Sequence, residues 1–178
     1  MLKPTFGSFH QFAWVTNDMD RSLANFNDVY GIPSFLVMDQ SFDAVVGGQK
    51  GKMQLRIALA KVDDVEFEVI QPVGGGIDAI YRDALPADGS YATVFHHFSV
   101  MVDGTQEDWE RHLAGLHPDR PIYFHHDGDS PGVRFVYTDD RAFLGHYVEH
   151  IWYAPEIRQG MAKAIPHFHT KSTDKPEA

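Results

Sequence analysis

Residues 94–104 read VFHHFSVMVDG: His96 and His97 stand at the mouth of an apolar run that ends in Asp-Gly. Residues 8–18, SFHQFAWVTND, spell nearly the same phrase, with Gln11 where the later copy has His97. Laid with Gln11 over His97, the runs match Phe12 to Phe98, Ala13 to Ser99 and Trp14 to Val100. Both alternate between two faces with period two, as a strand does. A helical pattern follows each. Residues 18–31, DMDRSLANFNDVYG, put Leu23, Phe26 and Tyr30 on one stripe, offer Asn17 or Asp18 as N-cap and stop at Gly31. Residues 105–118, TQEDWERHLAGLHP, put Trp109, Leu113 and Leu116 on a stripe and stop at Pro118.

The second halves correspond as well. MQLRIALAKVDDVEFEVIQP (53–72) reads as strand, Asp-containing turn, strand, then Pro, and GVRFVYTDDRAFLGHYVEHIWYAP (132–155) repeats that order. A weaker strand precedes each hairpin, at PSFLVMD (33–39) and PIYFHH (121–126). The expected fold is therefore α+β: two tandem βαβββ modules forming one curved mixed sheet around a central metal cleft. The modules span 8–72 and 94–155, with a linker or lid at 73–93 and a tail at 156–178 that starts helically and ends polar. The triple glycine of the linker lacks the Lys-Ser/Thr of a phosphate loop and reads as a hinge or lid.

Four polar residues break the apolar pattern in matching places. Glu68 and Glu149 sit in the last strand of each module, and Gln11 and His97 in the first. A lone carboxylate inside a sheet is costly, so their convergence needs a partner. Two carboxylates, an imidazole and an amide oxygen suit a divalent cation: zinc, nickel, cobalt, manganese or iron. Glu66 shares the face of Glu68, but the spacing to Pro72 favours Glu68. His10 is the better ligand chemically and the substitute for Gln11, yet strand parity turns His10 toward the helix layer. By the same alternation His146 and His150 face away from Glu149, while His125 and His126 lie elsewhere in the second module and His167 and His169 on the tail.

The phrases FHQFAWVTNDMDRSLANFNDVYGIPSFLV, FEVIQP, FHHFSVMVDG and GHYVEHIW resemble the vicinal oxygen chelate superfamily of glyoxalases, bleomycin-resistance proteins and extradiol dioxygenases. The likeness runs from about residue 8 to 153 and is nearest the branch of methylmalonyl-CoA epimerases and lactoylglutathione lyases. The order Gln, Glu, His, Glu is similar to that of eukaryotic-type lactoylglutathione lyases; the epimerases more often begin with His and carry Gln second. The resemblance implies paired modules around one metal held by Gln11, Glu68, His97 and Glu149. The implied enzyme is a lyase or isomerase that takes a proton from the carbon next to a carbonyl, with the enolate or enediolate held on the metal and Glu149 and Glu68 as catalytic carboxylates. One alternative is an Fe(II) extradiol-type dioxygenase using His10, His97 and Glu149. Another is a metal-free protein that sequesters a small molecule, as bleomycin-resistance proteins do.

Composition bounds the partners. The 178-residue chain carries a formal charge of −10 and no cysteine, with 43% hydrophobic residues. An acidic balance excludes a phosphate-backbone partner. No apolar run is long enough to cross a bilayer, and MLKPTFGSFH lacks a signal-peptide core. The expectation is a cytoplasmic homodimer acting on a small-molecule substrate, with no nucleic acid and no membrane.

Overall fold

The two strands carrying the repeated phrase lie side by side in the centre of one sheet. The computed structural model describes residues 7–128 and 132–170; the expected polar end of the tail, from 171 on, lies outside them. The first module runs β1 (Ser8–Thr16), α1 (Met19–Tyr30), β2 (Leu36–Val46), β3 (Gln49–Val62) and β4 (Val65–Gly74). After the short α2 (Ala79–Arg82), the second runs β5 (Thr93–Met101), α3 (Gln106–Ala114), β6 (Ile122–His126), β7 (Val133–Thr138), α4 (Arg141–Leu144) and β8 (Tyr147–Tyr153). The tail adds α5 (Pro155–Ala164) and β9 (His167–Phe168). None of the helices among these residues is long and apolar enough to cross a membrane.

β1 and β5 pair antiparallel, Gln11 with Ser99, Phe12 with Phe98 and Ala13 with His97. If Gln11 and His97 are counterparts, the first and last of these are one pair seen from each module. An approximate twofold axis then passes between Phe12 and Phe98. The parallel neighbours obey the same symmetry. β4 sets Glu68 beside Ala13, and β8 sets Glu149 beside Ser99.

Around the sheet the strands follow the order β2, β6, β7, β8, β5, β1, β4, β3, and β3 pairs again with β2. Eight strands thus close the expected curved mixed sheet into a barrel. The seam is β2 against β6, through Ala44–His126, Val45–His125 and Val46–Phe124. It is extended by Gly47 N–H to Tyr123 O at 2.8 Å and Asp127 N–H to Asp43 O at 2.9 Å. β2 is far longer than PSFLVMD suggested, and its small and β-branched end, Ala44 to Val46, is the part that reaches β6. β9 continues the β2 edge of β3 at Lys61 and Val62.

Apolar residues fill one part of the barrel, among them Val15, Met53, Leu55, Ile70, Phe124 and Tyr81 of α2. Outside, each module covers itself with its own helix. Met19 and Phe26 of α1 pack on Ala58, Ala60 and Val69, where alanines let the helix lie close to the strands. Trp109 of α3 packs against Val136 and Trp152. Burying each large side chain contributes roughly 1.5–3 kcal/mol. The caps are those the sequence offers. The Asp18 side chain accepts from Arg21 N–H at 3.0 Å, and Gly31 ends α1 in the left-handed region at φ 67°. Thr105 and Asp108 form a reciprocal capping box on α3, which stops at Gly115, ahead of Pro118.

The glycine run lies against β3. Gly76 bridges to Lys52 of β3, and a Cβ on Gly75 would stand 2.2 Å from the Lys52 carbonyl oxygen. Only glycine lets the backbone come that close.

Candidate functional site

Alternation along β1 turns Gln11, Ala13 and Val15 into the barrel and leaves Phe12 exposed. The register then fixes which neighbours share the inner face: His97 and Glu68 beside Ala13, Ser99 and Glu149 one step on. All four expected donors therefore converge. Gln11 Nε2 donates to Glu68 Oε2 at 2.6 Å. His97 Nε2 stands 3.6 Å from Glu68 Oε2 and 3.7 Å from Glu149 Oε2. His97 is fully buried, Gln11 is 2% exposed and Glu149 6%. Glu149 Oε2 is buried without a hydrogen-bond partner.

Burial and crowding of like charge set the electrostatics. Burial pushes the Glu68 carboxyl well above the usual carboxylate range, and Glu149 and Glu66 push it further; the Gln11 amide works the other way. Glu66, one inward position back along β4, is pushed up to about 7 by burial and then by Glu149, against the pull of Lys61. The hydroxyls of Tyr81, Tyr137 and Tyr153 are all raised by burial.

Sequence reasoning missed the groups that hold His97. His97 Nδ1 lies 2.9 Å from His96 Nδ1, and His96 Nε2 donates to the Ile80 carbonyl at 2.9 Å. Burial holds the His96 imidazole down at about 3. On the other side of the His97 ring, Tyr137 hydroxyl is 3.2 Å from Nε2 and 2.9 Å from the Tyr81 hydroxyl. A signal for Tyr137 did exist: across the Asp139-Asp140 turn it pairs with Glu149 and so shares its face.

His10 departs from the parity argument. Phe9 pairs with Val100 but Gln11 with Ser99, so His10 is the extra residue of a β-bulge. An extra residue cancels alternation, and His10 Nε2 comes within 3.6 Å of Glu66 Oε1; both atoms are buried and lack a hydrogen bond. A cavity of about 260 Å³ ends there, lined also by Lys61, Tyr153 and α5 residues Met161 and Ala162. The tail thus covers the Glu66 end of the barrel. The other histidines stay apart from the four donors. His150 pairs with His112 of α3 at 2.9 Å, His146 and His125 bond backbone carbonyls, and His167 donates to Asp63 O at 2.7 Å.

The side-chain chemistry of the four suits a divalent cation, although among the described residues no group of three or more His, Cys, Asp or Glu is placed so that it could hold a metal ion. Ligand atoms at zinc-like distances stand roughly 3–3.6 Å apart. The 3.6 and 3.7 Å spacings at His97 Nε2 are close to that. The unpartnered Glu149 oxygen wants positive charge. A half-turn of the Gln11 amide would present its oxygen in place of its N–H.

No protein-family model matches this sequence, and no curated protein matches it. Solved structures do. A variant of Streptomyces coelicolor methylmalonyl-CoA epimerase in complex with 2-nitronate-propionyl-CoA superimposes with a TM-score of 0.51 at 15% identity, over 84% of this chain and 96% of that one. Methylmalonyl-CoA epimerase from Mycobacterium tuberculosis gives a TM-score of 0.51 at 12% identity, over 89% and 97%. Identity at that level speaks for the fold and not for the chemistry. With two βαβββ modules joined through β1 and β5 about an approximate twofold axis, this chain has the fold of the vicinal oxygen chelate superfamily.

Proposed function

We propose that this chain is an enzyme that moves a proton on the carbon next to a carbonyl, an isomerase or lyase of the epimerase and glyoxalase kind. One observation carries the reading: Glu68 and Glu149, on equivalent strands of opposite modules, converge on the buried His97 Nε2 inside the barrel. Two carboxylates that reach one imidazole from opposite modules suit removal of a proton on one face of a carbon and its return on the other. Gln11 holds Glu68 in place by its 2.6 Å hydrogen bond. In a buried interior each fixed charge and dipole acts more strongly on a developing oxyanion than it would in water.

Gln11, Glu68, His97 and Glu149 would hold a divalent cation, of zinc, nickel, cobalt, manganese or iron. Such a cation, when bound, supplies electrostatic polarisation of the substrate carbonyl. His10 turns inward but toward Glu66, 3.6 Å from its Oε1, and for that reason the catechol-cleaving alternative built on His10, His97 and Glu149 ranks second.

The test is deuterium uptake. Incubated in D₂O with each divalent cation in turn, the protein is expected to exchange the α-proton of methylmalonyl-CoA, a related 2-methyl thioester or a hemithioacetal, read by mass spectrometry. The Glu149→Gln variant is expected to lose that exchange. Absence of uptake with every cation and substrate would overturn the reading.

A further inference from the structure

α2 sits in the stretch between the modules, and two adjacent residues of it reach His97 from opposite sides. The Ile80 carbonyl has no proton, so His96 Nε2, 2.9 Å away, carries one. His96 is 5% exposed, and the rings of Tyr81, Tyr137 and Tyr147 face it. No carboxylate bonds it, so a second proton on that ring would leave a buried cation uncompensated. His96 Nδ1 is therefore a lone pair. It accepts at 2.9 Å from His97 Nδ1, which must then be the protonated nitrogen of His97. The other side admits the same direction. Tyr81 and Tyr137 hydroxyls lie 2.9 Å apart, where either can donate, and with Tyr81 donating, Tyr137 is free to donate to His97 Nε2 at 3.2 Å, which then bears a lone pair. Every donor in the chain is then used once, and the chain begins at Tyr81 and ends at Ile80.

We propose that α2, acting through His96, fixes His97 as the Nδ1–H tautomer and leaves the lone pair on its Nε2, the atom that Tyr137, Glu68 and Glu149 surround. His96 is then a positioning residue. It never touches a substrate, yet it decides whether His97 offers a lone pair or a proton to the acidic centre. The consequence for cation binding rests on the function proposed above; the tautomer does not.

Two measurements separate those levels. Long-range ¹H–¹⁵N correlation spectra of the ¹⁵N-histidine protein, without added metal, are expected to show His97 protonated at Nδ1 and His96 at Nε2. Zinc affinity by chelator competition is then expected to fall roughly 10–100-fold in His96→Leu, the usual loss when a ligand's outer partner is removed. His96→Gln, whose amide can accept from His97 and donate to Ile80, is expected to stay near the parent value. A proton on His97 Nε2 in the parent overturns the proposal, and so does equal weakening by Leu and Gln. If His96→Leu fails to fold, the parent and His96→Gln spectra decide. If the protein binds no zinc, the cation reading fails while the tautomer is still read directly.

Discussion

Phe12 of β1 pairs with Phe98 of β5, its own counterpart in the other module. Everything one or two residues from that pair is consequently duplicated, and the two carboxylates inherit equivalent positions. Glu68→Gln and Glu149→Gln are expected to cut α-proton exchange by a similar factor, roughly 10²–10⁴. Both should fold, since each replaces a buried carboxylate by a neutral group of the same shape. Isotope exchange beside a thermal melt checks this. Exchange that survives in one variant at the parent rate would show that the proton is carried from one side only.

Glu66 gives a pH signature of its own. Its carboxyl is raised from 4.5 to about 7, chiefly by burial. Between those values the native chain binds more protons than the unfolded one, so stability falls as pH climbs through that window. Above it the full cost, roughly 3 kcal/mol, is present. Glu66→Gln is expected to make the slope shallower, leaving the part that the raised Glu68 carboxyl contributes: melts in EDTA should coincide with the parent near pH 4.5 and lie several degrees higher at pH 8. Parallel curves for the two proteins would refute it.

How much of this was legible depends on what period-two reading can see. Which residues share a face follows from alternation, so Gln11, Glu68, His97 and Glu149 could be picked out and their convergence expected. What alternation does not carry is an insertion. Nothing in SFHQF marks His10 as a bulge, and the structure reverses its expected direction for that reason alone. Closure of the barrel was hidden similarly. The middle of β2, Asp39 to Ser41, is polar and exposed and reads as a loop, yet its backbone stays paired with β3 until Ala44 meets His126. His96 stood in plain view beside His97, but its role depends on a carbonyl sixteen residues back, which only the fold brings near.

Tyr137 offers a variant with two effects of opposite sign. Its hydroxyl lies 3.2 Å from the His97 Nε2 that a cation would need and, in the proposed tautomer, donates to it. Tyr137→Phe removes that competitor, so zinc affinity is expected to rise by roughly 2- to 10-fold, the worth of one net hydrogen bond. The same change strands the Tyr81 hydroxyl in the core, at a cost of about 1–3 kcal/mol in stability. Chelator competition and denaturant titration read the two separately. A variant that is less stable and also binds zinc more weakly would place Tyr137 among the groups that support binding.

Gly75 and Gly76 test whether the linker positions the site or merely joins the modules. Both have positive φ, 104° and 91°, so alanine at either stores backbone strain of order 1–3 kcal/mol. They differ in space. A Cβ on Gly76 meets nothing within 4 Å, whereas one on Gly75 would stand 2.2 Å from Lys52 O and 3.0 Å from Gln54 N. That backbone belongs to a paired strand and cannot yield, so Gly75→Ala must push the glycine run outward. α2 begins four residues on, and with it moves the Ile80 carbonyl that orients His96. Gly75→Ala is expected to lower stability more than Gly76→Ala and to weaken zinc binding in the manner of His96→Leu. Gly76→Ala should lower stability with affinity nearly kept. If the two variants lose affinity equally, strain in the linker reaches His97 by some route other than the position of α2.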